Sequence, residues 1–245
     1  MRDGAPPLVT PLIPGITFGT HCYEEDWIPL LRGDRLKRMI DLNNHDFAER
    51  KLFINNVKNP DEVEAEARAL VEKGILTSVV VVENKADEAL GFFGIEKRSF
   101  RGGYYYSIPH LVNIYLCSTE HILYFTADCC LVSSATWIKP CLERMSGDSS
   151  LKVAIPLWNG IEAARKEAES EEPDFFVGYG FSDQCYLVRT SDYRARIYNE
   201  WNRMSERYPP YGGELWEKRV DSWMRNHRYR RLTYKHASYL HRKFH

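Results

Sequence analysis

The sequence has no long apolar run. No stretch reaches the roughly 18 consecutive apolar residues of a membrane span, although apolar residues make up 44% of the chain. The first residues lack a basic stretch followed by an apolar run, so no secretory leader is expected. Neither sign of charge is in excess: 33 basic and 34 acidic residues leave a net charge of −1. That balance removes the bulk attraction on which nucleic-acid binding rests, so no nucleic-acid partner is expected. The chain has six cysteines, none in a C-x-x-C pair, which excludes the usual zinc knuckle and dithiol redox motifs. Cys22, Cys117, Cys129, Cys130, Cys141 and Cys185 mostly stand in apolar runs. They read as reduced, buried thiols of a cytoplasmic protein. G-x-G-x-x-G and the Walker loop are both missing, so a generic dinucleotide or ATP site has no motif behind it. There is no internal repeat and no low-complexity segment.

What is present is a regular alternation of β-type and helical segments. After a proline-rich lead-in over residues 1–14, Gly15–Thr20 reads as a strand. Asp26–Leu42 carries apolar residues at helical spacing. Arg50–Asn55 is a second strand. Asp61–Lys73 reads as a helix capped by Asp61 and ended by Gly74. Leu76–Val82 is continuously apolar and β-branched, the pattern of a parallel strand covered on both faces. Further helices are expected at Ser107–Cys117 and Trp137–Met145, and strands at His121–Phe125 and Val153–Pro156. Ala163–Glu172 is a charged helix or loop. Asp174–Tyr179 and Cys185–Val188 flank a turn. Asp192–Arg207 and Gly213–Asn226 look helical, and a basic, aromatic tail follows from Tyr229. The fold class is α/β, a mostly parallel Rossmann-like sheet flanked by helices with a helical C-terminal extension. The organisation is a single domain. Residues 15–190 form the α/β core, and residues 191–245 a helical C-terminal extension with a basic tail.

Parallel sheets bind ligands beyond the carboxyl ends of their strands. Polar groups gather at four expected strand ends: Thr20, His21 and Tyr23; Asn55 and Asn56; Glu83 and Asn84; Thr126 and Asp128. Asp128 follows the buried run His121–Phe125. An acid at such a rim can bind a hard divalent cation, which in turn can neutralise a diphosphate.

These residues resemble the GT-A glycosyltransferases, closest in layout to the family-2-like enzymes. GITFGTHCYEEDW followed by RLKRMIDL is similar to the family's opening strand, polar turn and helix. KLFINN matches a second strand ending in Asn or Asp, and HILYFTAD an apolar strand running into Asp-x-Asp. In HILYFTAD, Thr126 replaces the first acid and Asp128 stands for the second. Trp137–Leu142 and Val153–Pro156 extend the likeness, which spans most of residues 15–190. It implies a donor nucleotide held by Thr20, Tyr23, Asn55, Asn56, Asn84 and Thr126. It also implies Mn²⁺ or Mg²⁺ at Asp128, completed by His241 from the tail. Because one of the two acids is replaced, a dispensable metal is the alternative expectation. In the Gly178–Gln184 segment, Asp183 matches the family's catalytic base for an inverting transfer, although sequence does not fix the stereochemistry.

In Tyr208–Glu217, Tyr211, Glu214 and Trp216 resemble a sugar-binding surface for a glycan or lipid-linked acceptor, with Glu214 and Glu217 as alternative bases. The same segment also reads as a turn and an amphipathic helix with Trp216 in the core. The tail is also suited to rest on an anionic membrane surface at the inner face. Two other readings stay open: a catalytically inactive nucleotide-sugar-binding module and a nucleotidyltransferase. The second usually carries a Gly-rich, Lys/Arg-bearing phosphate loop, which GITFGTHCYEED lacks.

Overall fold

A computed structural model describes residues 11–241. The expected lead-in therefore lies largely outside the described residues, as do the last four residues of the tail. The strands are β1 (Ile13–Cys22), β2 (Glu49–Ile54), β3 (Ser78–Val81), β4 (Thr119–Phe125), β5 (Cys129–Leu131), β6 (Leu151–Leu157), β7 (Ala168–Glu171), β8 (Phe175–Gly178), β9 (Cys185–Arg189) and β10 (Arg230–His241). They lie in the order β3-β2-β1-β4-β9-β6-β10-β8-β7, with β5 paired to the end of β10. Strands β3, β2, β1 and β4 are parallel neighbours, as are β6 and β10. Strand β9 is inserted antiparallel between β4 and β6.

The helices are α1 (Trp27–Leu31), α2 (Arg35–Asp41), α3 (Pro60–Glu72), α4 (Glu83–Phe93), α5 (Tyr104–Leu116), α6 (Ile138–Ser146), α7 (Ile161–Glu167), α8 (Thr190–Arg194) and α9 (Trp216–Asn226). They cover both faces of the sheet. Alternate residues of each strand enter opposite cores, as the strand period of two requires. Phe18, Leu52, Leu123 and Phe125 pack on one side with α1, α2, α3 and α6. Phe53, Ile122 and Tyr124 pack on the other with α4, α5 and α9. None of the described helices is long and apolar enough to cross a membrane.

Several expectations change. The segment 26–42 is two helices, broken at Arg32–Asp34. The cap of α3 is Asn59, whose side chain accepts from Glu62 N at 3.4 Å; Asp61 sits in the first turn behind Pro60. Strand β3 is the sheet's edge and is only half-buried. It runs straight into α4, which the sequence hid behind a valine run. Between 192 and 207 only α8 and a 3₁₀ turn at Arg203–Arg207 are helical.

The largest change is the tail. Residues 230–241 form β10, an interior strand and not a helical extension. Its basic residues meet acids of α7 and β7: Arg230 with Glu169 at 2.7 Å, Arg231 with Glu167 at 2.9 Å and Lys235 with Glu171 at 2.7 Å. These three basic residues of the tail each have an acidic partner at the sheet's far edge.

Candidate active site

Antiparallel pairing of β4 with β9 sets Phe125 opposite Cys185, and Thr126 N donates to Gln184 O at 2.9 Å. The polar residues after β4 and before β9 therefore meet at one point, which brings Asp128 to the same cleft as Asp183. The end of β10 reaches that point from another side: His241 pairs with Cys129 of β5. His241 Nε2 then lies 2.7 Å from Asp128 Oδ2. The hydroxyl of Thr126 donates to Asp128 Oδ1 at 2.8 Å and fixes the carboxylate from behind.

Around this pair lies a cleft of about 390 Å³, lined also by His21, Tyr23, Asp26, Tyr106, His110, Asp183, Gln184 and Tyr211. Tyr211 is brought over it by close backbone packing. Gly213 has φ 60°, and a Cβ there would stand 2.4 Å from Ser99 O; a Cβ on Gly103 would stand 2.6 Å from Gly212 O. Only glycines let these two loops touch. A smaller cleft of about 280 Å³ continues from Tyr23 and Tyr106 to Glu24, Glu25, Asn56, Gly102 and Tyr105.

The site's electrostatics follow from burial among acids. Burial, with Asp128 adding to it, pushes the Asp183 carboxyl up to about 6, while His241 pulls it down. Burial raises Asp26 to about 7, again with Asp128 contributing; an N–H donated from Tyr23 opposes the shift. Glu217, at the start of α9, is raised well above the usual carboxylate range by burial and then by Asp183. His21 is held down at about 4 by burial. Its Nδ1 lies 2.6 Å from the Tyr124 hydroxyl, so a neutral imidazole lines the cleft floor.

Asp128, Cys129 and His241 are close enough together to hold an ion. Burial pushes the Cys129 thiol up, so it stays protonated and is no ligand for a hard cation. The carboxylate and the imidazole do fit. Adjacent ligands of an octahedral ion of Mg²⁺ or Mn²⁺ size stand about 3 Å apart, close to the separation of the Asp128–His241 pair. Such an ion would draw its remaining oxygens from water and ligand phosphate.

Of the residues singled out by sequence, Tyr23, Thr126, Asp128, Asp183, Tyr211 and His241 line the main cleft. Asn56 lines the smaller one. Asn55 is buried and donates to Tyr105 O at 2.8 Å, as does the Tyr23 hydroxyl at 2.8 Å; both pin the start of α5. Thr20 is fully buried in β1, its hydroxyl without a partner among the described residues. Like Asn55 and Thr20, three further expected site residues line neither cleft. Asn84 is exposed in the first turn of α4 and lines neither cleft. Glu214 is tied to Lys218 at 3.0 Å and lines neither cleft. Trp216 is 1% exposed and stacks on His110 with centroids 4.5 Å apart. It is a core residue because α9 turns its first residue inward.

Sequence reasoning passed over Asp26, His110 and Gln184. Asp26 looked like a helix start and His110 like a helix interior. Gln184 is revealed only by its contacts with Thr126 and His241.

No protein-family model matches the chain, and no curated protein matches it. Solved structures do. A crystal structure of GalNAc-T7 with UDP, GalNAc and Mn²⁺ is similar at a TM-score of 0.56 and 11% identity, covering 93% of this chain and 43% of that one. Glucosyl-3-phosphoglycerate synthase from Mycobacterium tuberculosis, in complex with Mn²⁺, UDP and glucosyl-3-phosphoglycerate, aligns at 0.49 and 15% identity, over 95% of this chain and 73% of that one. The likeness to GalNAc-T7 establishes the fold: this is a GT-A α/β domain, spanning less than half of that relative's length.

Proposed function

We propose that this chain is a glycosyltransferase that moves a sugar from a nucleotide-diphosphate donor to an acceptor hydroxyl, with inversion at the anomeric carbon. The observation that carries this reading is the Asp128–His241 pair, 2.7 Å apart, in one cleft with the raised carboxyl of Asp183. In support, GalNAc-T7, which shares the fold, was crystallised with UDP, GalNAc and Mn²⁺.

Asp128 and His241 would hold a divalent ion, with Thr126 orienting the carboxylate. Bound there, Mn²⁺ or Mg²⁺ would offset the charge gathering on a leaving diphosphate. Tyr23, Tyr106 and Asn56 line the smaller cleft, where a base and ribose fit against aromatic faces. Asn55 and Thr20 support that wall from within. Asp183 takes the proton of the acceptor hydroxyl as the new oxygen–carbon bond forms at the anomeric centre. The bond from that centre to the donor phosphate oxygen breaks, and the nucleoside diphosphate leaves with the electron pair. Tyr211, above the cleft, contacts the acceptor, which we take to be a glycan or lipid-linked hydroxyl.

The test is release of nucleoside diphosphate from a panel of UDP-, GDP- and dTDP-sugars, with wild type beside Asp183→Asn. Release by wild type, lost in the variant, supports the transferase. Donor binding without release under any condition favours a silent binding module.

A further inference from the structure

Behind Asp183 lies a second and larger cleft, of about 530 Å³, that meets the first at Gln184. Its walls carry Arg207, Arg225 and Arg231, with Trp158, Tyr179 and Tyr208 between them. The floor is Gly180, whose φ of 107° suits glycine and whose missing side chain lets a guanidinium close in over the backbone. Over the place where a Cβ would stand, Arg231 Nη1 comes to 3.2 Å and Arg207 Nη2 to 3.8 Å. Two guanidinium groups thus converge on one point beside the expected base.

The local acids do not use up this charge. Arg207 and Arg225 share one buried carboxylate: Asp221 Oδ2 accepts from Arg207 Nη1 at 2.7 Å and from Arg225 Nε at 2.8 Å. Arg207 Nη2 also donates to Asp221 Oδ1 at 3.1 Å and to the Tyr208 hydroxyl at 2.9 Å. Glu217 lines the cleft as well, but burial holds its carboxyl well above the usual carboxylate range, so three guanidinium groups face two carboxylates, Asp221 and Glu167. Arg231 is 12% exposed, and its Nη2 donates at 2.9 Å to Glu167, which is 61% exposed. Among the described residues its buried Nε has no partner. A guanidinium with an unused buried N–H and a loosely held surface partner is poised for an oxyanion. Trp158, 43% exposed on the same rim, offers an apolar face for the rest of the ligand.

We infer that this cleft binds an acceptor bearing a phosphate group, gripped by Arg231 and Arg207 above Gly180, with its hydroxyl presented to Asp183. This rests on the transferase reading for the acceptor role, while the anion site stands on its own geometry. The phosphate could belong to a soluble ester or to a lipid headgroup.

Inorganic phosphate is titrated into the full chain by calorimetry, for wild type, Arg231→Gln, Glu167→Gln and Asp128→Ala. The expected result is binding by wild type, weakened roughly ten- to hundredfold in Arg231→Gln. Binding tightens in Glu167→Gln, where an exposed competing carboxylate is removed at little risk to folding. Asp128→Ala leaves it unchanged. Vesicles of phosphatidylcholine with and without phosphatidic acid separate the sources. Arg231-dependent sedimentation with the acidic vesicles assigns a lipid phosphate, and phosphate binding without sedimentation assigns a soluble ester. The proposal is overturned if wild type binds no phosphate, if Glu167→Gln has no effect, or if Asp128→Ala abolishes binding while Arg231→Gln does not. The last result would put the anion in the donor cleft. UDP binding with Mn²⁺, measured in parallel, reports on the transferase reading separately.

Discussion

His241 and Asp128, 113 positions apart in sequence, meet at 2.7 Å because the last residue of β10 pairs with Cys129 of β5. The sheet thereby sets an imidazole against the single acid of the T-A-D segment. In the proposed metal site, either side chain alone would bind an ion weakly, and the two together would suit Mn²⁺ better than Ca²⁺. His241→Ala and Asp128→Ala should each weaken Mn²⁺ binding by about 10- to 100-fold, with Thr126→Val at the lower end of that range. Cys129→Ser should change it little. Manganese electron paramagnetic resonance reads this directly.

The Asp183 carboxyl has to be ionised to accept a proton. With its pKa raised to about 6, the transfer rate should rise with pH through that value and level off above it. Asp183→Asn should remove the limb and lower kcat by roughly 10²- to 10⁴-fold, leaving donor affinity near wild type. A pH–rate profile of both proteins checks this.

Asp26 links the site to stability. Its folded pKa of about 7 stands above the ordinary value of 3.8, so the folded chain holds this proton more tightly than the unfolded one. The folded state therefore loses stability as pH climbs from about 4 to about 7. Asp26→Asn cannot ionise and can still accept from Tyr23 N, which donates to Asp26 at 2.6 Å. The variant should be more stable than wild type at pH 8, by on the order of 1 kcal/mol, and similar near pH 4. Urea unfolding at the two pH values would show it.

Trp216 and Tyr211 should separate cleanly. Trp216 stacks in the core against His110, so Trp216→Ala should cost roughly 3–5 kcal/mol of stability. Tyr211 is 62% exposed over the cleft. Tyr211→Ala should leave the melting temperature unchanged and raise KM for the acceptor. Thermal unfolding beside steady-state kinetics tells the two apart.

The parts legible in the sequence were those governed by local pattern. Strands β1, β2 and β4 carry short apolar or β-branched runs, and α3 has its cap region, acidic first turn and terminal glycine. Asp128 was legible as an acid beyond a buried strand, and Asp183 through the likeness of the Gly178–Gln184 segment to the family's base-bearing segment. What misled was the polar face of interior strands. β10 alternates Arg, Tyr, Lys and His because one side of it pairs with the acids of α7 and β7, so it read as a basic tail. Helix α4 was missed because no loop separates it from the valines of β3. Trp216 looked like a sugar-stacking residue because its local company of Tyr, Gly and Glu is that of a binding loop. Its burial depends on Ser107, His110 and Phe181, which lie far away in sequence.

The most direct test of the account is calorimetry with UDP, GDP, dTDP and CMP, with and without Mn²⁺, on wild type and Asp128→Ala. The account predicts that one nucleoside diphosphate binds wild type in the presence of Mn²⁺, and that affinity falls when either the metal or the Asp128 carboxylate is removed. Absence of nucleotide binding in every combination would contradict it and leave the likeness to GalNAc-T7 as one of fold alone.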